Sequence, residues 1–325
     1  FQAEDGIRDC LLSRGLGDVY KRQCKHRFRM LPLVVIIRRS EPMAERHALG
    51  ISRRLPDGST SSVSTTVAAP QQEERFIVPS QLPPPELIET ETLASLLSSD
   101  DVLLIDVCSD DNYDRGHITG ARHIQPASLT LGQPPAPGKL PHPDSLVRIL
   151  ESTGYDKDKF VIAYDDEGGG WEGRFLWILD VINHEKKGLV NGGLIAWLTD
   201  GREVTTTVPT FEQTQVKLTA DTKFIASLAE VHDSRGDPES VIWDARSREE
   251  HQGLRSGSRR AGRIPGAINL DWLATMDPEN GHRTRKDLQD VLEALGITRD
   301  KRVITHCQTH HRSGLTYVLG RQLGY

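Results

Sequence analysis

Cysteine is scarce in this chain: 325 residues hold four, at positions 10, 24, 108 and 307, and no two share a CxxC spacing. That pattern argues against a zinc site of ordinary spacing and against a dense disulfide scaffold, and it leaves reduced thiols as the simpler expectation. Long apolar stretches are also missing. No uninterrupted apolar run exceeds five residues, as at 33–37, whereas a helical membrane span needs ~20. The Arg38-Arg39 pair that follows this run is not a small-residue cleavage site. The chain therefore reads as soluble, cytoplasmic and free of membrane contact. Positive charge is short in the body of the chain: residues 73–325 carry 28 Lys/Arg against 39 Asp/Glu, whereas residues 1–72 carry 12 against 7. So acidic a body is not expected to bind nucleic acid.

What the chain does have is length enough for two cores, with 37% hydrophobic residues, and an internal repeat. Residues 1–23 follow neither a helical nor a strand period and resemble translated sequencing-adapter read-through, so they are set aside as non-native. Residues 24–75 are basic and then Ser/Thr-rich (59–66), the composition of a disordered or upstream leader, and the start codon is expected at Met30, Met43 or later. Beyond them, Val102-Leu103-Leu104-Ile105-Asp106 is matched by Val241-Ile242-Trp243-Asp244. Gly116-His117-Ile118-Thr119-Gly120-Ala121 is matched by Gly262-Arg263-Ile264-Pro265-Gly266-Ala267, and Asp158-Lys159-Phe160-Val161-Ile162 by Asp300-Lys301-Arg302-Val303-Ile304. Short β-type runs alternating with helical patterns predict two homologous α/β domains, each a mostly parallel sheet with helices on both faces. The first is expected over 76–200, a linker over 201–220 and the second over 221–325. Only thirteen residues follow Arg312, so the second domain is expected to lack the counterpart of 189–198 and to leave an open sheet edge.

One loop concentrates the chemistry. The β-branched run Val303-Ile304-Thr305 leads into His306-Cys307-Gln308-Thr309-His310-His311-Arg312-Ser313-Gly314 and then a helical segment. A cysteine between a strand's carboxyl end and a helix start sits where free N–H groups and a nearby cation favour its thiolate. Cys307 is thus a candidate nucleophile and Arg312 an anion clamp, with Gln308, Thr309, His310, His311 and Ser313 as the binding loop. The alternative for Cys307 is an inert buried thiol. His306, His310 and His311 could be metal ligands, but no carboxylate or second cysteine lies nearby in sequence, so His310 and His311 are expected to shape the loop, add positive potential or face solvent. At the position matching Cys307 the first repeat has Asp165, within Asp165-Asp166-Glu167-Gly168-Gly169-Gly170. Without a thiol, that loop is expected to be inactive and to close over the domain interface. Cys108 is expected to be a small core residue, and Asp244 to brace the active loop.

The repeat over 76–325 resembles the two-domain rhodanese family, and the string from Thr305 to Gly314 is similar to the active loop of its bacterial thiosulfate sulfurtransferases. The resemblance implies that Cys307 takes the outer sulfur of thiosulfate, holds it as a persulfide and passes it to cyanide or a thiol, needing neither metal nor organic cofactor. It also implies a small anionic donor and possible partnership with a cysteine desulfurase or another sulfur-relay protein. The alternatives are a 3-mercaptopyruvate sulfurtransferase, a non-catalytic persulfide carrier and a Cys-dependent phosphatase. Four residues separate Cys307 from Arg312, where phosphatases of this loop type place five. Relatives with an arginine in the substrate region contrast with Glu250 here, so that role is not transferred.

Overall fold

The computed structural model describes residues 83–325 together with the backbone of one further strand, β1 (Val34–Ile37). The first repeat builds a sheet from β2 (Glu86–Ile88), β3 (Val102–Asp106), β4 (Arg122–His123), β5 (Phe160–Tyr164) and β6 (Lys187–Val190). Its order is β2-β6-β5-β3-β4, with every pair parallel. The second repeat contributes β7 (Ser240–Asp244), β8 (Ile268–Asn269) and β11 (Arg302–His306), also parallel, beside a small antiparallel ribbon of β9 (Met276–Asp277) and β10 (Arg283–Thr284). The repeated sequence becomes repeated register: Leu103 faces Val161 across β3 and β5, and Val241 faces Val303 across β7 and β11.

Each main strand is buried on both faces, because alternate side chains serve different layers. Leu103 and Ile105 join a cluster with Leu146, Leu150 and Phe175, whereas Leu104 joins Leu93, Leu194 and Trp197. The helices that supply these partners are Pro143–Glu151 and α1 (Gly170–Val181) on one face, and Thr90–Leu96 and Gly193–Thr199 on the other. The second sheet repeats the arrangement, with Ile242 and Ile304 packing with Val231 while Val241, Trp243 and Val303 share the first cluster with Phe175, Trp177 and Tyr317. The two repeats therefore bury apolar surface against each other as well as within themselves.

The seam between them runs along α1 and its counterpart α3 (Arg312–Gln322), after the short α2 (Arg248–Gln252). These helices touch backbone to backbone: a Cβ on Gly173 would lie 2.5 Å from the Gly314 carbonyl carbon, and one on Gly314 would lie 2.5 Å from the Arg174 nitrogen. At one end of the crossing, the fully buried Asp180 of α1 receives Lys187 Nζ at 2.9 Å from β6, and Arg321 Nη1 at 2.7 Å and the Tyr317 hydroxyl at 2.8 Å from α3.

Two sequence expectations change. Within the leader expected to lack structure, β1 pairs antiparallel with β11, Val34 opposite His306 and Ile37 opposite Val303. It occupies the side of β11 where β6 lies on β5, so the edge expected to be open is covered. The rest of the leader and residues 1–23 lie outside the described residues. Residues 201–220 form no helix or regular strand, and they are tied to the first repeat through Thr205 with His117 and the Thr214 hydroxyl with the Tyr155 carbonyl.

Candidate active site

The end of β11 and the start of α3 fix the loop, and both are dictated locally. Val303 and Ile304 are fully buried sheet residues, and Arg312 opens the helix. Cys307 falls between them and is 1% exposed, yet it belongs to none of the apolar clusters, unlike the fully buried Cys108, which packs with Leu104, Ile118 and Tyr164. The Cys307 sulfur instead accepts from the Ser313 backbone N–H at 3.5 Å and from its hydroxyl at 3.4 Å. Burial pushes the thiol pKa up, but the Arg312 charge, both Ser313 donors and His311 outweigh it and hold it below the ordinary value. For Cys108, burial and the nearby Asp106 carboxylate act together and push its thiol well up.

The remaining loop residues each have a defined anchor. His310 takes a left-handed backbone conformation (φ 60°), stands edge-on to Trp177 at 4.5 Å, and has Nδ1 2.7 Å from the Ser313 hydroxyl. Because that hydroxyl donates to sulfur, its oxygen accepts from His310 Nδ1–H, which sets the tautomer. Burial holds the His310 imidazole far below its usual pKa, so it is neutral. His311 lies between Trp171 (4.6 Å) and Trp272 (5.4 Å), with Nε2 2.7 Å from Glu167 of the first repeat's loop. Both histidines are buried, which corrects the expectation that they might face solvent, and His310 adds no positive potential. Gln308 donates to the Ser258 hydroxyl at 3.3 Å, and the Thr309 carbonyl accepts from Arg174 at 3.0 Å. His306, held to a pKa of about 4 by burial, lies 3.7 Å from Asp244, which also binds Arg246 and His251 and so braces the base of the loop. The three histidines diverge to different partners, and among the described residues no group of His, Cys, Asp and Glu is placed to hold a metal.

Arg312 departs most from expectation. It opens α3 beside the sulfur, but its guanidinium bonds Glu250 of α2 through Nη1 and Nη2. The residue to which the sequence reading gave no role is therefore the partner of the expected clamp. Glu250 is positioned by a capping box with Ser247, whose amide and hydroxyl it engages at the start of α2. The spacing Ser247…Glu250 was the available signal, although it announces a cap and not a partner.

The first repeat shows what such a loop is built to hold. Asp165 takes the place of Cys307, and its carboxylate accepts five backbone N–H bonds: from Glu167, Gly168 and Gly169 at one oxygen (2.8–3.0 Å), and from Trp171 and Glu172 at the other (2.8 and 3.3 Å). Five converging donors favour the carboxylate, while burial and the neighbouring Glu167 push its pKa up on balance, so this loop is a cradle of amides filled by its own side chain. In the second loop no protein acceptor meets the backbone N–H groups of Gln308 to His311 among the described residues. Arg174, which the sequence pairs with Arg312, is not its equivalent. It sits four residues after the first residue of α1, fully buried, and ties the Leu129, Gly138 and Lys139 carbonyls to Thr309 across the seam. Burial brings its pKa down to about 9. A lone arginine within Phe175-Leu176-Trp177-flanked apolar sequence was the signal for it.

The rhodanese-like domain family matches the chain twice, over residues 89–200 and 227–325. The chain belongs to the rhodanese family. Among its relatives are the thiosulfate sulfurtransferases of Azotobacter vinelandii and Pseudomonas aeruginosa, 43% and 44% identical over 241 residues that span 74% of this chain and 89% of each relative. The sulfur carrier protein TtuD of Thermus thermophilus is 27% identical over the same shares of both chains. The crystal structure of SseA from Escherichia coli, a rhodanese-fold 3-mercaptopyruvate sulfotransferase, has a TM-score of 0.63 at 23% identity, covering 74% of this chain and 95% of that one. That last likeness speaks for the fold.

Proposed function

We propose that this rhodanese is a thiosulfate sulfurtransferase whose nucleophile is Cys307. The observation that carries the reading is a buried thiol surrounded by donors and a cation, held below its ordinary pKa, at the mouth of a loop whose twin in the same chain closes its backbone amides around a carboxyl group. The two relatives above 40% identity bear the same activity in their names.

In this reading the Cys307 thiolate attacks the outer sulfur of thiosulfate. The sulfur–sulfur bond breaks, sulfite leaves with the electron pair, and Cys307 is left as a persulfide anion. Cyanide or a thiolate then attacks the terminal sulfur and returns Cys307 as the thiolate. The loop amides and Arg312 stabilise the dianion as charge moves onto sulfite. Arg312 acts while tethered to Glu250, so it offers orientation more than net charge. His310 and Ser313 keep two donors on the Cys307 sulfur, and Gln308, Thr309 and His311 hold the loop open around it.

The test is thiocyanate formation from thiosulfate and cyanide by the full chain and by Cys307→Ala. Turnover by the parent and none by the variant supports the assignment, and equal turnover sinks it. A carrier of the TtuD kind would instead accept sulfur from a desulfurase, gaining 32 mass units on Cys307, with no multiple turnover on thiosulfate.

A further inference from the structure

Next to the active loop lies a segment that neither the fold nor the proposed chemistry requires. Between Glu250 and Asp271 the chain carries no acidic residue, and within it Arg255, Arg259, Arg260 and Arg263 fall inside nine positions. In a body with eleven more acidic than basic residues over 73–325, this is a local reversal of sign.

The segment is ordered as a closed loop. Its neck is pinched where Gly253 and Gly262, both with positive φ, approach so closely that a Cβ on Gly253 would lie 3.1 Å from the Gly262 nitrogen. Arg246, itself held by Asp244, donates to the Gly262 carbonyl at 3.0 Å. The Ser256 hydroxyl reaches the Ser258 and Arg260 carbonyls at 3.1 and 3.2 Å, fixing the tip. That tip rests on the active loop: Gln308 donates to Ser258, and Gly257 lies so close that a Cβ there would meet the end of the Gln308 side chain at 2.5 Å. Arg259, Arg260 and Arg263 are exposed and make no ion pair among the described residues.

We propose that this loop is a cationic rim that steers small anions to the mouth above Cys307, deepening the sulfurtransferase reading on which its substrate rests. A compact loop stapled at its neck holds charge at a fixed place. An otherwise acidic surface repels a dianion, and a fixed positive rim raises its local concentration at the entrance. The occupant is a small anion and not a folded acidic protein, because the sulfur is 1% exposed and only a small or slender molecule reaches it. The rim acts on encounter, so it raises kcat/KM and leaves kcat alone.

The test compares alkylation of Cys307 by anionic iodoacetate and neutral iodoacetamide, at low and high salt, in the parent and in Arg259→Gln/Arg260→Gln/Arg263→Gln. Steering predicts that the iodoacetate rate relative to iodoacetamide falls by about threefold to tenfold in the variant at low salt, that salt erases the difference, and that the iodoacetamide rate is unchanged. Charge reversal in Arg259→Glu/Arg260→Glu lowers the ratio further, and kcat/KM for thiosulfate follows at constant kcat. An unchanged ratio at low salt, or an equal fall with both reagents, overturns the proposal. Should neither protein form thiocyanate, the substrate reading fails while the alkylation ratio still decides the rim.

Discussion

Arg312 and Glu250 form a two-point ion pair, Nη1 to Oε2 at 2.5 Å and Nη2 to Oε1 at 3.1 Å, with only 6% and 8% of their side chains exposed. The pair joins the first residue of α3 to α2, so it sets both the position of the cation beside Cys307 and the distance between two elements of the second repeat. Breaking a buried pair by removing one partner costs about 3–5 kcal/mol, because the other charge is stranded. Both Glu250→Gln and Arg312→Ala are expected to lower Tm by on the order of 10 °C. Their effects on the thiol differ in sign: Glu250→Gln leaves Arg312 uncompensated and lowers the pH at which Cys307 begins to react, and Arg312→Ala raises it. Shifts in the same direction for both variants would show that Arg312 does not set the charge on sulfur.

The two described cysteines are expected to behave oppositely toward alkylation. Cys307 has its pKa lowered, so its thiolate persists as pH falls below the ordinary thiol midpoint of about 8.5. Cys108 has its pKa raised, so it stays a neutral thiol through that range. Iodoacetamide at pH 7 followed by peptide mapping should label Cys307 and spare Cys108. Equal labelling, or labelling of Cys108 first, contradicts the electrostatic picture of the loop.

Asp165 should be structural, with no part in turnover. In Asp165→Asn one oxygen becomes an NH2 group facing backbone donors, and bonds to a charged acceptor are worth about 1.5–3 kcal/mol. A clear drop in Tm with kcat retained is expected from melting curves and a thiocyanate assay. A loss of kcat at unchanged Tm would instead make the first loop part of the catalytic machinery.

At the crossing of α1 and α3, Gly173→Ala and Gly314→Ala each place a methyl group 2.5 Å from a backbone atom that cannot move aside, a cost of about 1–3 kcal/mol or more. Both act on the same contact, so the double variant should cost less than the sum of the singles. Strict additivity in chemical denaturation would mean that the two glycines answer to separate constraints.

How much of this could be read from the chain depends on the range of each interaction. The repeat, the parallel strands and the placement of the Cys307 loop were legible because their signals are local: Val303-Ile304 declares a buried strand, and the polar run that ends at Arg312 declares the turn into a helix. What decided the chemistry of the loop was not legible. Arg312 is paired from 62 residues away and Thr309 is held from 135 residues away, and no sequence pattern ties those positions together. Burial inverted the expectation for His310, because only the packed loop reveals that Trp177 excludes water from it. The covering of β11 by β1 was hidden for a similar reason: a five-residue apolar run in a basic leader names no partner strand.

The meeting of Lys187, Arg321 and Tyr317 on Asp180 has a further consequence. One carboxylate serves a cation of its own half and, from the other half, a guanidinium and a hydroxyl, at a site almost closed to water. Cutting the chain at residues 201–220 and separating the pieces would leave Asp180 with Lys187 alone in one and take the carboxylate partner from Arg321 and Tyr317 in the other. A duplicated module that shares its ions in this way is expected to lose stability when its halves are parted, the one that carries Cys307 included.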